Sequence, residues 1–227
     1  MRTLSQLLLL LPLGVVAAPC FAAEPAKSPP AESKWEQTIA AFEELDQKSP
    51  PAAGGIVFYG SSSIKVWDLE KSFPELPAIN RGFGGSQMSE AAQFVRRAVT
   101  PLKPRTIVLY EGDNDLNVGK TPQQVAADFD ALLKSLRTDL PEAKLIVIGC
   151  KPSPSRWKLI DKQRELNRLI SERCQADQHA TFLDVEKPML AADGQPRPEL
   201  FRADKLHLND AGYELWNSLL APLLAAK

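Results

Sequence analysis

Several protein classes are excluded by what the sequence lacks. It has no run of like charge: Lys plus Arg number 27 against 28 for Asp plus Glu, a formal net charge of -1. Nothing in this charge pattern points to nucleic acid as a partner. Histidine occurs twice and cysteine three times, with no CxxC and no Cys/His cluster at ligand spacing, so no metal site is expected. No apolar run reaches the ~20 residues that a membrane-spanning helix needs. The GxSxG elbow is also missing. A GxGxxG dinucleotide loop is only approached, because Gln87 stands where the glycine after Gly82 and Gly84 belongs. Gly119-Lys120-Thr121 imitates the tail of a phosphate loop, but Asn114 occupies the place of that loop's first glycine. The segment reads as a helix cap.

What remains has the balance of one soluble domain with a sizeable core, since 227 residues carry 44% hydrophobic and 24% charged side chains. The N-terminus departs from this average. Arg2, the apolar stretch Leu7 to Val16 and the small residues Ala17, Ala18, Ala22 and Ala23 have the form of a cleaved secretory signal. Residues 1–23 are therefore read as a signal peptide, 24–33 as a flexible Pro/Ala/Ser-rich lead-in, and 34–227 as the domain. A periplasmic or secreted location is expected. Pro19 directly before Cys20 argues against a lipoprotein anchor there. Cys150 and Cys174 could pair in an oxidising compartment, but one ends a strand and the other lies on the apolar face of a helix. Two small buried hydrophobes fit those positions better.

Along the domain, Trp35, Ile39, Phe42 and Leu45 recur at helical spacing, and strands then alternate with helices. Strands are expected at Ile56–Tyr59, Pro77–Asn80, Thr106–Tyr110, Leu145–Ile148 and Thr181–Val185. Helices are expected around Ile64–Lys71, along the face Met88, Ala92, Val95 and Val99, after the Thr121-Pro122-Gln124 capping signal, and over Leu159–Cys174. A final helix carries the stripe Leu215, Leu219, Leu220, Leu223 and Leu224. Short, continuously apolar strands separated by helices predict a parallel sheet covered on both faces, a three-layer α/β/α sandwich of roughly five strands. In such sheets the working site lies beyond the carboxyl ends of the strands.

Those ends carry Gly60-Ser61-Ser62-Ser63, Gly82-Phe83-Gly84-Gly85-Ser86 and Gly112-Asp113-Asn114-Asp115, and Asp204-Lys205-Leu206-His207 follows the last strand. A hydroxyl, a flexible backbone, an amide and an acid/imidazole pair are the parts that acyl transfer requires. Asp113 and Asp115 could suggest paired carboxylates or Mg²⁺ ligands, but with the amide between them they read as fixing its loop by local hydrogen bonds. His179 sits in a polar Asp-Gln-His turn and reads as surface, which leaves His207 as the base.

The order Ser, Gly, Asn and Asp-x-x-His, with Leu208, Asn209 and Gly212 behind it, resembles the SGNH/GDSL hydrolases over about residues 54–217. The wording GSSSI, NRGFGGS and GDND is similar to their subgroup near the catalytic subunits of platelet-activating-factor acetylhydrolase. The resemblance implies a flavodoxin-like SGNH fold, Ser62 as nucleophile, His207 as general base and Asp204 as the carboxylate that orients it. It also implies an oxyanion hole formed by the backbone N–H groups of Ser62 and Gly85 with the side-chain amide of Asn114. The family usually has Asp before its nucleophile, and Ser61 stands there instead. The run of serines leaves three adjacent candidates, of which the motif spacing selects Ser62.

Trp67, Phe83, Arg156 and Trp157 fall near strand ends or in the Lys151–Lys158 loop. They are candidates for an acyl or leaving-group pocket, with core or rim packing the competing reading for the aromatics. The expected activity is a cofactor-free serine esterase acting on small or medium acyl esters, with O-acetyl groups on carbohydrate the leading option. No nucleic-acid partner and no stable membrane insertion after signal cleavage are expected. A catalytically idle glycan- or lipid-binding protein on the same fold is the alternative, supported by Ser61.

Overall fold

The computed structural model describes residues 33–225. Residues 1–23, read as a signal peptide, nearly all of the lead-in and Cys20 lie outside the described residues. In chain order the elements are α1 (Glu36–Lys48), β1 (Ile56–Gly60), α2 (Ser62–Lys65), α3 (Leu69–Ser72), β2 (Ala78–Gly82), α4 (Met88–Ala98) and β3 (Thr106–Tyr110). There follow α5 (Asp113–Asn117), α6 (Pro122–Asp139), β4 (Lys144–Ile148), α7 (Ile160–Gln175), β5 (Ala180–Leu183) and α8 (Asp210–Ala225). The strands form one five-stranded sheet in the order β2-β1-β3-β4-β5, parallel at every pairing. The expected three-layer α/β sandwich is therefore present, in the flavodoxin-like order.

The strand sequences explain this burial. Every residue of β1 and β3 is buried, whereas β5, at one edge, is half-buried throughout. Alternate side chains serve opposite faces. Val57, Tyr59, Ile107, Leu109, Leu145 and Val147 pack with α4, α6 and α7 through Phe94, Val95, Phe129, Leu132, Leu166 and Ile170. Ile56, Phe58, Val108, Tyr110, Ile146 and Ile148 pack on the other face against Ile64, Trp67, Phe73, Trp216 and Leu220. Burying each of these large side chains is worth roughly 1.5–3 kcal/mol before conformational entropy is subtracted.

Several local expectations shift. The helix expected over Ile64–Lys71 is two short ones, with Asp68 accepting the Lys71 N–H as the cap of the second. The start of α6 is as expected: Thr121 and Gln124 form a reciprocal capping box with proline in the first turn. Leu45 is 56% exposed, and only Ile39 of the α1 stripe is fully buried. In α8 the buried face is Gly212, Tyr213, Trp216, Leu220 and Leu224. The leucine stripe is thus rotated, with Leu215, Leu219 and Leu223 at its margin. Cys150 and Cys174 are both buried and unpaired, and burial pushes both thiols up, Cys174 to about 12.

Candidate active site

The chain leaves β1 toward β2 and later crosses back to β3 on the other side of β1, so the strand order reverses between β1 and β3. A crevice opens at such a point beyond the carboxyl ends. Ser62 starts the helix after β1, and Asn114 lies in the helix after β3. The two strands approach closely because Gly60 has no side chain: a Cβ there, at φ +133°, would stand 2.1 Å from the Tyr110 carbonyl oxygen.

The three serines after β1 separate by direction. Ser61 is buried and is the residue before α2; its carbonyl accepts from the Ile64 and Lys65 N–H groups. Ser63 is buried with its Oγ 3.1 Å from Lys151 Nζ, while its carbonyl accepts from the Tyr213 hydroxyl. Ser62 alone turns to the imidazole, with Oγ 2.9 Å from His207 Nε2.

His207 is delivered by a loop that its neighbours hold in shape. Asp204 Oδ1 accepts the backbone N–H groups of Leu206 and His207, each at 2.9 Å, and Oδ2 lies 2.7 Å from His207 Nδ1. Lys205 takes a left-handed turn at φ 60°, which lets residues 204 and 207 face each other. Behind them Leu208 is fully buried, and Asn209 donates to the Glu199 and Phe201 carbonyls while accepting the Gly212 N–H at the start of α8. Hydrogen bonding from the imidazole and the loop N–H groups holds the Asp204 carboxyl down at about 2. An ionised carboxylate can only accept, so Nδ1 carries the proton and Nε2 is left to accept the Ser62 Oγ–H.

Gly85 has φ +88°, the region where glycine is favoured. Its neighbour Gly84 lies against Ser62, since a Cβ there would be 3.6 Å from Ser62 Cβ. Neither the Ser62 nor the Gly85 N–H meets an acceptor among the described residues. Asn114 Nδ2 donates to the Ser86 carbonyl at 2.9 Å. Ser86 Oγ in turn bonds the buried Glu111 carboxyl, whose protonated form burial favours strongly.

Behind the rim lies an ionic cluster that sequence reasoning missed. Lys151, 1% exposed, contacts Tyr110 Oη at 3.0 Å and Asp113 at 3.6 Å. Arg156 pairs with the same Asp113 oxygen at 2.9 Å, and Gln163 donates to its other oxygen. Burial alone would push the Asp113 carboxyl up, but Lys151 and Arg156 outweigh it and hold it below the usual range. Burial also draws the Lys151 ammonium down. Asp113 therefore holds the Asn114 loop through distant partners, and Asp115 does so by accepting the Met88 N–H and pairing with Lys120. The only sequence signal for the cluster was a lysine directly behind an apolar strand.

Of the four pocket candidates, Phe83 is corrected and Trp67 packs mainly in the core. Trp67 is 3% exposed and packs on Phe58, Phe73, Tyr213 and Trp216; Phe83 is fully buried between Trp35, Tyr59 and Phe94. Phe83 is thus a core residue, while Trp67 is packed into the core and its edge borders a cavity of ≈ 490 Å³ with Lys71, Arg202 and Asp210 that is lined by neither Ser62 nor His207. Trp157 is half-buried and lines a cavity of ≈ 240 Å³ with Pro154, Gln195 and Lys205. Arg156 reaches the site, with Nη2 donating to Asn114 Oδ1 at 3.0 Å. His179 stands apart, 3.5 Å from Glu142. A cavity of ≈ 570 Å³ lies among Arg105, Ala143 and their neighbours at the amino ends of β3 and β4. That is the wrong end of the sheet for this chemistry. Among the described residues no group of three or more His, Cys, Asp and Glu could hold a metal ion, and no helix is long and apolar enough to cross a membrane.

A parallel α/β sheet with a hydroxyl, an imidazole and a carboxylate in hydrogen-bonded series at its switch point defines the class of α/β acyl hydrolases. The chain belongs to the GDSL-like Lipase/Acylhydrolase family, whose model matches residues 64–215. It is similar to the platelet-activating factor acetylhydrolase IB subunit alpha1 of Homo sapiens, 27% identical over 183 residues, 75% of this chain and 77% of that protein. Among solved structures it is similar to a GDSL-like lipase from Bacteroides thetaiotaomicron, with a TM-score of 0.67, 18% identity and coverage of 82% and 98% of the two chains. An acetylxylan esterase from Geobacillus stearothermophilus matches with a TM-score of 0.61 at 13% identity, over 78% and 96%. Both structural likenesses speak to the fold.

Proposed function

We propose that this family member is an exported serine esterase in which Ser62 is the nucleophile. Ser62 Oγ attacks the ester carbonyl as His207 Nε2 takes its proton, and Asp204 holds the imidazole tautomer and stabilises the imidazolium. The Ser62 and Gly85 N–H groups and the Asn114 amide receive the developing oxyanion. His207 then protonates the leaving alcohol, and water clears the acyl-enzyme by the reverse sequence. The observation that carries this reading is the unbroken series Ser62 Oγ, His207 Nε2, His207 Nδ1 and Asp204 Oδ2 at 2.9 and 2.7 Å. The family match begins at Ile64, so the nucleophile rests on this geometry and on motif order.

Small or medium acyl esters are the proposed substrates, with O-acetyl groups on carbohydrate favoured. The acetyl group in the name of the human relative and the leader-like residues 1–23 support that choice, the second because export brings the enzyme to envelope polysaccharide. The test is hydrolysis of p-nitrophenyl acetate together with covalent labelling by a fluorophosphonate, each expected to vanish in Ser62→Ala. Hydrolysis that survives the change would move the nucleophile to a neighbouring serine. Absence of labelling in the unmodified protein would favour an idle glycan- or lipid-binding role. An acyl-length series set beside acetylated oligosaccharides then ranks the substrates.

A further inference from the structure

We propose that Arg156 is a positioning residue that locks the side-chain amide of Asn114 in the orientation an oxyanion donor needs. The proposal rests on the esterase reading for its kinetic consequence and on geometry for its structural one.

An asparagine amide can rotate by a half-turn and exchange its oxygen for its nitrogen with little change in shape. A donor that spends half its time as an acceptor would repel the oxyanion. Here both ends are held. Arg156 Nη2 donates to Asn114 Oδ1 at 3.0 Å, and Asn114 Nδ2 donates to the Ser86 carbonyl at 2.9 Å. A flip would set N–H against guanidinium and oxygen against carbonyl oxygen, two repulsions in place of two bonds. The second Nδ2 hydrogen has no acceptor among the described residues and is the one available to substrate.

Arg156 can hold that amide because it is itself fixed. Its other terminal nitrogen pairs with Asp113 at 2.9 Å, and its side chain is 11% exposed. Asp113 is clamped further by Gln163 at 3.1 Å and Lys151 at 3.6 Å, and Lys151 bonds Ser63 Oγ at 3.1 Å. One series of hydrogen bonds and ion pairs thus runs from the residue after Ser62 to the amide of Asn114. A planar fork that binds carboxylate and amide together is available to Arg and not to Lys. This places Arg156 behind the donor rather than against the acyl chain.

The experiment compares Arg156→Ala, Arg156→Lys, Asn114→Ala and Arg156→Ala/Asn114→Ala by p-nitrophenyl acetate kinetics and by the Asn114 side-chain NH2 signals in a ¹H–¹⁵N spectrum. Loss of one oxyanion donor lowers kcat by roughly 100- to 1,000-fold, so a donor left free to turn should lose roughly 10- to 100-fold. We expect that loss in Arg156→Ala with KM within about twofold, little recovery in Arg156→Lys, and no further loss in the double variant beyond Asn114→Ala. The Asn114 NH2 pair should shift or broaden in both Arg156 variants. If Arg156→Ala does not fold, Arg156→Lys keeps the cation and carries the same comparison. A raised KM with kcat retained, multiplying losses in the double variant, full activity in Arg156→Lys, or an unaltered NH2 pair would each overturn the proposal. An unmodified protein without esterase activity would defeat the function reading, and the NH2 signals would still decide the role of Arg156.

Discussion

Asp204→Asn separates the orienting role of the carboxylate from its structural one. The substituted amide keeps an oxygen where Oδ1 stands, so the N–H groups of Leu206 and His207, each at 2.9 Å, retain their acceptor and the loop keeps its turn. Only the 2.7 Å contact at Oδ2 changes, because an amide N–H now faces His207 Nδ1. Nδ1 must then accept, the ring proton moves to Nε2, and Nε2 can no longer take the proton of Ser62. In a buried triad that inversion costs ~10⁴ in kcat. Asp204 is 48% exposed here, so water screens part of the effect, and a loss of roughly 100- to 1,000-fold in kcat is expected on the same principle. Thermal unfolding should move little. Stopped-flow or steady-state hydrolysis of p-nitrophenyl acetate, read with a melting curve, measures both. A rate within about threefold of the unmodified enzyme would refute the tautomer argument, and a large fall in melting temperature would show that the carboxylate serves the loop instead.

Glu111 should make the protein less stable as pH rises. Its carboxyl is held well above the usual range by burial, so the unfolded chain releases the proton near pH 4.3 while the folded chain keeps it. Stability therefore declines from that pH up to the folded-state pKa, by about 1.4 kcal/mol for each unit crossed. Glu111→Gln should remove this slope, matching the unmodified protein at pH 4 and melting higher at pH 8; parallel pH–melting curves would contradict it. Gly85→Ala places a side chain at φ +88°, with no atom nearer to its Cβ than Trp35 at 3.9 Å. The cost is backbone strain of about 1–2 kcal/mol and a displaced N–H, so stability and kcat should both fall while fluorophosphonate labelling continues; an unchanged kcat would remove Gly85 from the oxyanion hole.

What could be read from the chain itself divides by distance in sequence. Thr106–Tyr110, the capping box at Thr121 and the Asp204–His207 loop are local, and periodicity or a three-residue spacing carries them. Which way an aromatic turns at the end of a strand is not local. Trp67 and Phe83 sit where a pocket wall could lie, and their direction is decided by α8 and by α1 and α4, which the pattern around each residue does not contain. The same holds for the Lys151–Asp113–Arg156 cluster: partners 38 and 43 residues apart, as the numbering gives, leave no trace in either segment beyond a lysine behind an apolar strand.

That division has a chemical reason. The groups proposed to react, Ser62 at the start of the one-turn helix α2 and His207 on the Asp204–His207 loop, are set by adjacent residues. Asn114 differs, because α5 fixes its backbone and leaves its amide free to turn. Its two amide ends are fixed by Ser86, held through Glu111, and by Arg156, held through Asp113 and Lys151. Desolvating a buried carboxylate and a buried ammonium offsets much of what their attraction returns, so such a cluster is weak ground for stability. Their presence a few ångströms behind the catalytic rim is explained better by the direction they impose on one amide than by the stability they add.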